Sequence, residues 1–309
     1  MSSFSLIPYV CGAGASRDGC AHGPLYCLEH GLTERLSAAG IDAVWAVNPE
    51  AHWNGPYGRV AHVALPPRGS AERREIVAWH CQTLAHNVSK ELNQGNRVIT
   101  IGGDHSMAAG SITGAAAAYG PDATLGLIWV DAHPDINTLQ SSTSKALHGM
   151  PVAALLGLDD AAPALGIEGG VLRAENIVYA GLRSIDPSEY DIAKDLGIQL
   201  PAMDDLRQHG VSTWLQDAVT HLSGRCDHMI LSIDLDGFSQ DVAPAVGTPV
   251  EGGFLPEEIL PVLAGIVRTH AIDLIEIVEF NPTLPGADKT FELIVQILGD
   301  LLPGKPVQK

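Results

Sequence analysis

The six residues Val130-Asp131-Ala132-His133-Pro134-Asp135 contain three side chains able to ligate a metal ion, spaced two apart. In an extended backbone successive side chains point to opposite faces, so positions i, i+2 and i+4 share one face. Asp131, His133 and Asp135 are thereby expected to converge at the end of the apolar run at residues 125–129. Alone, such a segment is better read as a strand running into a polar turn. The rest of the chain decides against that reading.

Two other segments carry the same kind of residue. In Ile101-Gly102-Gly103-Asp104-His105-Ser106, the glycines allow a tight turn and close backbone approach, and His105 follows just beyond a strand. In Leu231-Ser232-Ile233-Asp234-Leu235-Asp236-Gly237, Asp234 and Asp236 alternate with apolar residues and are expected on one face of a buried strand. Carboxylates there are costly unless they are paired or bound to a cation. No Lys or Arg lies in any of the three segments to pair them. The combined set is two His and four Asp, an oxygen-rich donor set that suits manganese better than a structural zinc. Four carboxylates can bridge two divalent ions about 3.5–4 Å apart and hold a water that ionises near neutral pH. That is the chemistry of a hydrolase.

The elements that must position these residues are readable from hydrophobic patterning. Strand character at residues 6–10, 41–47, 97–101, 124–130, 177–181, 229–235 and 272–280 alternates with helical patterns, among them 23–40, 70–93, 106–119 and 288–302. In the longest helix Ile76, Trp79, Leu84 and Leu92 recur at helical spacing, and Gly95 is a fitting stop. Such alternation predicts an α/β fold, a mostly parallel sheet with helices on both faces. These folds place their sites at the carboxyl ends of strands, where the three segments lie.

Composition narrows the class. The chain has 309 residues, 46% hydrophobic and 17% charged, which describes a compact protein able to bury a large core. With no repeat, low-complexity stretch or linker, residues 1–309 read as a single domain. A formal net charge of −18 repels phosphate backbones and argues against nucleic-acid binding. Five cysteines without a CxxC pair read as buried thiols, not as a disulfide framework or zinc ribbon. No signal peptide or membrane-length apolar run is present, so a cytoplasmic protein without membrane contact is expected.

Together, Gly102-Gly103-Asp104-His105-Ser106, Asp131-Ala132-His133-Pro134-Asp135 and Ser232-Ile233-Asp234-Leu235-Asp236-Gly237 resemble the arginase or ureohydrolase family. The similarity runs from His22-Gly23-Pro24 to Glu279-Phe280-Asn281-Pro282. The resemblance implies a three-layer α/β/α fold and two manganese ions. The first ion would be held by His105, Asp131, Asp135 and Asp234, and the second by Asp131, His133, Asp234 and Asp236. It also implies hydrolysis of L-arginine to L-ornithine and urea by a metal-bridging hydroxide. In that scheme His148 shuttles protons, Glu279 orients the guanidinium and Asp135 belongs to the catalytic groups as well as the ligands. Asn137 and Ser144 would receive the substrate α-carboxylate, Asp186 the α-amino group, and Thr248 would complete the substrate contacts. The partner would be a small cationic guanidino compound, and the assembly a homo-oligomer, trimer or hexamer.

Family members on hydroxyarginine, guanidino acids, agmatine or formimidoylglutamate are the alternative, and agmatine would leave Asn137 and Ser144 with no carboxylate to bind. A non-catalytic relative would be expected to have lost ligands, and all six are present. Three departures fall in neighbouring loops: Pro134, Lys145-Ala146 where arginases usually carry Gly-Asn, and Gly237-Phe238-Ser239-Gln240-Asp241.

Overall fold

The computed structural model describes residues 4–53 and 65–302. Its frame is a seven-stranded, all-parallel sheet: β1 (Phe4–Tyr9), β2 (Ala43–Trp45), β3 (Arg97–Gly102), β4 (Leu125–Val130), β5 (Ile177–Ala180), β6 (His228–Asp234) and β7 (Ile272–Val278). The spatial order is β2-β1-β3-β7-β6-β4-β5, so the last strand in sequence is the middle one in space. Apart from the edge strand β2, where Val44 is exposed, the strands are short apolar runs buried on both faces, as an enclosed parallel sheet requires.

Side-chain alternation splits the core in two. Leu125, Leu127 and Trp129 face the helices Ala71–Asn93 and Met107–Tyr119, whereas Ile128 and Val130 face Val211–Ser223, Pro256–Thr269 and Ala287–Leu301. This is the expected three-layer α/β/α arrangement.

Local chemistry sets the helix ends. Ser70 accepts the Arg73 N–H to start the long helix, and Gly95 follows its end at φ 80°. That helix buries Ile76 and Leu84 but leaves Trp79 and Leu92 only partly covered; Val77, Cys81 and Val88 complete the stripe instead. The helical pattern expected at 23–40 is two helices, Gly23–Glu29 and Leu32–Ala38, separated at Gly31 with φ 69°. The strand expected at 41–47 is only Ala43–Trp45, because β2 is an edge strand paired on one side.

The two helices before and after β3 pack through their backbones. A methyl added at Gly110 would overlap the Cys81 carbonyl oxygen and sit 2.8 Å from Cys81 Cα; at Gly114 it would meet Ala85 in the same way. This contact fixes the start of Met107–Tyr119, and with it His105. Gly110→Ala is expected to lower stability by about 1–3 kcal/mol, read as a reduced urea midpoint, and an unchanged midpoint would contradict the close packing.

Candidate metal centre

The side chains of His105, Asp131, His133, Asp135, Asp234 and Asp236 meet beyond the carboxyl ends of β3, β4 and β6. His105 Nδ1 lies 3.1 Å from Asp131 Oδ2, 3.2 Å from Asp135 Oδ2 and 3.3 Å from Asp234 Oδ2. His133 Nδ1 lies 3.4 Å from Asp131 Oδ1 and 3.2 Å from Asp236 Oδ2. Two groups of donors therefore form, His105–Asp131–Asp234 and Asp131–His133–Asp236, and Asp131 belongs to both because each of its oxygens faces a different imidazole.

Strand alternation is not what brings them together. β4 ends at Val130, and the Asp131 carboxylate then accepts the His133 N–H at 2.7 Å, closing a turn. Asp135 follows in the left-handed region at φ 51°. After β6, the Asp234 carboxylate accepts the Asp236 N–H at 2.7 Å in the same manner, so Asp236 sits on a short 3-10 turn past the strand. In both turns Oδ1 shapes the backbone and Oδ2 faces His105.

The surroundings fit cations. His105 Nδ1 and Asp131 Oδ2 are buried, and neither has a hydrogen-bond partner. Burial drives the Asp234 and Asp236 carboxyls upward, with their neighbouring carboxylates adding to it. Burial first, then the Asp131 charge, brings Asp135 to about 6. Burial opposes charge on Asp131 too, but the His105 and His133 imidazoles beside it outweigh burial and hold this carboxyl low. Divalent cations would relieve the mutual repulsion of four carboxylates and satisfy the two unpartnered donors.

Residues that the sequence patterns did not single out support this set. His105 Nε2 is 2.9 Å from Ser232 Oγ, which commits Nδ1 to the centre, and the ring stacks on Trp129 at 3.9 Å and 5°. Ser232 lies two residues before Asp234, so strand alternation could have flagged it. Its neighbour in register is Glu276, buried against Ser111. Arg183 donates to the carbonyls of Gly181, Asp236 and Val250, tying three loops together around the carboxylates.

Glu279 sits at φ 66°, its N–H donating to Gly103 O at 2.9 Å. Gly103 is required at that turn, because a side chain would overlap the Cys11 carbonyl oxygen. Glu279 Oε1 accepts from His105 N and from His148 Nδ1, both at 2.9 Å, while its buried Oε2 has no partner. Burial disfavours the His148 cation, but Glu279 overrides it and raises the imidazole to about 9; His148 in turn helps hold Glu279 below its usual range against burial. The pair is therefore ionised at neutral pH.

A cavity of about 260 Å³ opens over the centre, lined by His133, Asp135, Asp234, His148, Asn137, Ser144, Asp186, Thr248 and Glu189, among others. Asn137 Nδ2 donates to Asp186 at 3.1 Å, and its Oδ1 accepts from Ser141 and Ser188. Asp186 is also the N-cap residue of helix Pro187–Leu196: its carbonyl accepts the Glu189 N–H at 3.0 Å, and the Glu189 carboxylate accepts the Asp186 N–H at 2.9 Å. Thr248 donates to Asp236 Oδ2 at 3.0 Å. Glu279 lies outside the cavity lining, beneath His148.

The departures have structural consequences. Lys145 occupies the left-handed region at φ 56°, and its ammonium closes the loop on Leu139 O. Pro134 offers its carbonyl to the Tyr179 hydroxyl at 2.9 Å. The backbone at 237–239 pairs with Phe254, which buries Phe238.

The model of the arginase family matches residues 3–303. The chain is 33% identical to the arginase of Bacillus caldovelox over 99% of both chains, and 35% identical to human arginase-1 over 88% of this chain and 82% of that one. The crystal structure of arginase from Bacillus subtilis superposes with a TM-score of 0.83 at 31% identity, covering 99% of this chain and 100% of that one. The native structure from Bacillus caldovelox gives 0.84 at 29%, over 100% of both. A sheet order, a double donor set and a sequence match that all extend over the described chain have one common explanation: this protein belongs to the arginase family, metal-dependent hydrolases of the guanidino group.

Proposed function

We propose that this protein is a binuclear manganese enzyme that hydrolyses L-arginine to L-ornithine and urea. The observation that carries the reading is one cavity lined both by metal-ligand candidates and by groups suited to an amino acid's two ends, Asn137, Ser144 and Asp186. The first ion is assigned to His105, Asp131, Asp135 and Asp234, the second to Asp131, His133, Asp234 and Asp236. Six oxygen and nitrogen donors without a thiolate favour manganese. Bound there, the two ions supply an ionised water near neutral pH and offset negative charge that develops during attack.

The chain's own residues do the rest. The second N–H of Asn137 Nδ2 and the Ser144 hydroxyl are donors for an α-carboxylate. Asp186 accepts the α-ammonium. Glu279 Oε2, buried and without a partner, is the acceptor for a guanidinium N–H. Thr248 holds Asp236 in place while lining the cavity. His148, cationic until about pH 9, gives its proton to the departing amine of ornithine. Pro134, Lys145 and the 237–241 loop lie outside the cavity lining and replace none of these groups, whereas Ala146 lines it. The family reading also carries a homo-oligomer, trimer or hexamer, acting on a free small molecule; among the described residues no helix is long and apolar enough to cross a membrane.

Turnover by manganese-loaded protein of L-arginine, agmatine, hydroxyarginine, a guanidino acid and formimidoylglutamate tests the substrate directly. Arginine should be preferred, and preference for agmatine would refute the carboxylate site. Asp131→Ala should cut bound manganese well below the roughly two ions per chain of a binuclear site and abolish urea release. Retention of both ions would reject Asp131 as a ligand of either site. A third expectation concerns pH in the metal-free protein. The raised value of His148 means its contribution to stability is complete below about 6.5 and lost as pH climbs through about 9. The urea-midpoint gap between wild type and His148→Asn should therefore shrink over that interval; a constant gap would rule out the His148–Glu279 ion pair.

A further inference from the structure

Arg73, on the long helix Ala71–Asn93, is a buried cation that no part of the scheme above uses. Its guanidinium meets backbone carbonyls: Nε donates to Ala13 O at 2.5 Å, Nη1 to Pro66 O at 3.0 Å and Nη2 to Ala15 O at 3.5 Å. Burial works against its charge, with Asp18 and Asp104 partly compensating. A guanidinium so placed acts as a rigid fork, and the thing it holds is the loop at residues 13–16.

That loop contacts His148 at two points. Gly14 O accepts the His148 N–H at 3.1 Å, and Ser16 Oγ is 2.9 Å from His148 Nε2. Arg73 grips the carbonyls on either side of Gly14. From the other side Asp104 accepts the Gly14 N–H at 2.9 Å, and Arg68 donates to Ser16 O. With Glu279 on Nδ1, both ring nitrogens and the backbone N–H of His148 are engaged, two of the three by the loop that Arg73 fixes. A side chain at Gly14 would overlap Asp104 and approach Ser106 Oγ to 2.9 Å, so the loop has little room to find another seat.

We propose that Arg73 is a positioning residue for His148: by fixing the loop at residues 13–16 it holds the imidazole where it can deliver its proton. The proposal rests on His148 being the group that moves protons. Arg73→Met should lower kcat by about tenfold, because small misplacements of a proton-transferring group are costly. KM should stay within about twofold, since the loop makes no assigned substrate contact.

The decisive measurement is a double-mutant cycle in the full-length, manganese-loaded protein, using Arg73→Met and His148→Asn. Once His148 is gone, Arg73→Met should have no further effect on kcat. An equal loss of kcat in both backgrounds, or wild-type kcat in Arg73→Met alone, would overturn the proposal. If Arg73→Met does not fold, Arg73→Lys keeps a cation that reaches fewer carbonyls and enters the same cycle with the same criteria. The substrate is whichever guanidino compound the wild type hydrolyses. Failure on arginine in the wild type therefore counts against the substrate assignment and leaves the cycle decisive for Arg73.

Discussion

Four carboxylates and two imidazoles share one buried volume at the strand ends, and among the described residues no Lys or Arg forms an ion pair with them. With both imidazoles neutral the group carries four negative charges in a region where bare carboxylates are strongly disfavoured. The rest of the structure can be understood as what it takes to hold that arrangement. The parallel sheet brings β3, β4 and β6 to end near one point, with β7 between β3 and β6. Two turns are closed by the candidate ligands' own carboxylates, and Arg183 supplies a cation aimed at carbonyls, which tightens the loops without pairing with those carboxylates.

Backbone strain is concentrated in the same place. Of the non-glycine residues at positive φ, Asp135 and Glu279 are site residues and Lys145 closes the adjoining loop. Such conformations cost about 1–3 kcal/mol each and persist only where their surroundings over-determine them. Asp135 is held by its carbonyl, which accepts the Val152 N–H at 3.1 Å, and Glu279 by bonds to Gly103, His105 and His148. The strain turns each carboxylate back over the strand ends, where an extended backbone would carry it past them.

How much of this was legible in the sequence depends on what kind of atom makes the contact. The six donor candidates, the strand endings and the layer order follow from residue type and period, and these were readable. The sharing of Asp131 between two groups came only from the family resemblance and not from residue type or period, because it depends on each carboxylate oxygen meeting a different ring. Arg73 and Arg183 were invisible for a related reason. Their partners are backbone carbonyls, which every residue has, so no pattern of residue types announces them. Ser232 was within reach, two residues before Asp234 on one strand face. The break at Gly31 was missed because hydrophobic spacing continues across it while the backbone does not.

Asp186 shows why a structural reading and a functional one need not compete. One would make Asp186-Pro187 a helix cap, and the other would make Asp186 the acceptor of a substrate amine. Asp186 does stand at the start of the helix Pro187–Leu196, its carbonyl accepting the Glu189 N–H and its own N–H answered by the Glu189 carboxylate, while its side chain takes the Asn137 amide and lines the cavity. Because the helix start uses the Asp186 backbone, its carboxylate is left to the Asn137 amide and to the cavity it lines. Glu189 extends the coupling, since its other oxygen accepts the Ile136 N–H at 3.2 Å, next to the ligand Asp135. The helix start is thus tied directly to the metal-ligand loop. A change at either end would be felt at both, so the proposed amine acceptor Asp186 and the candidate ligand Asp135 are parts of one hydrogen-bonded unit.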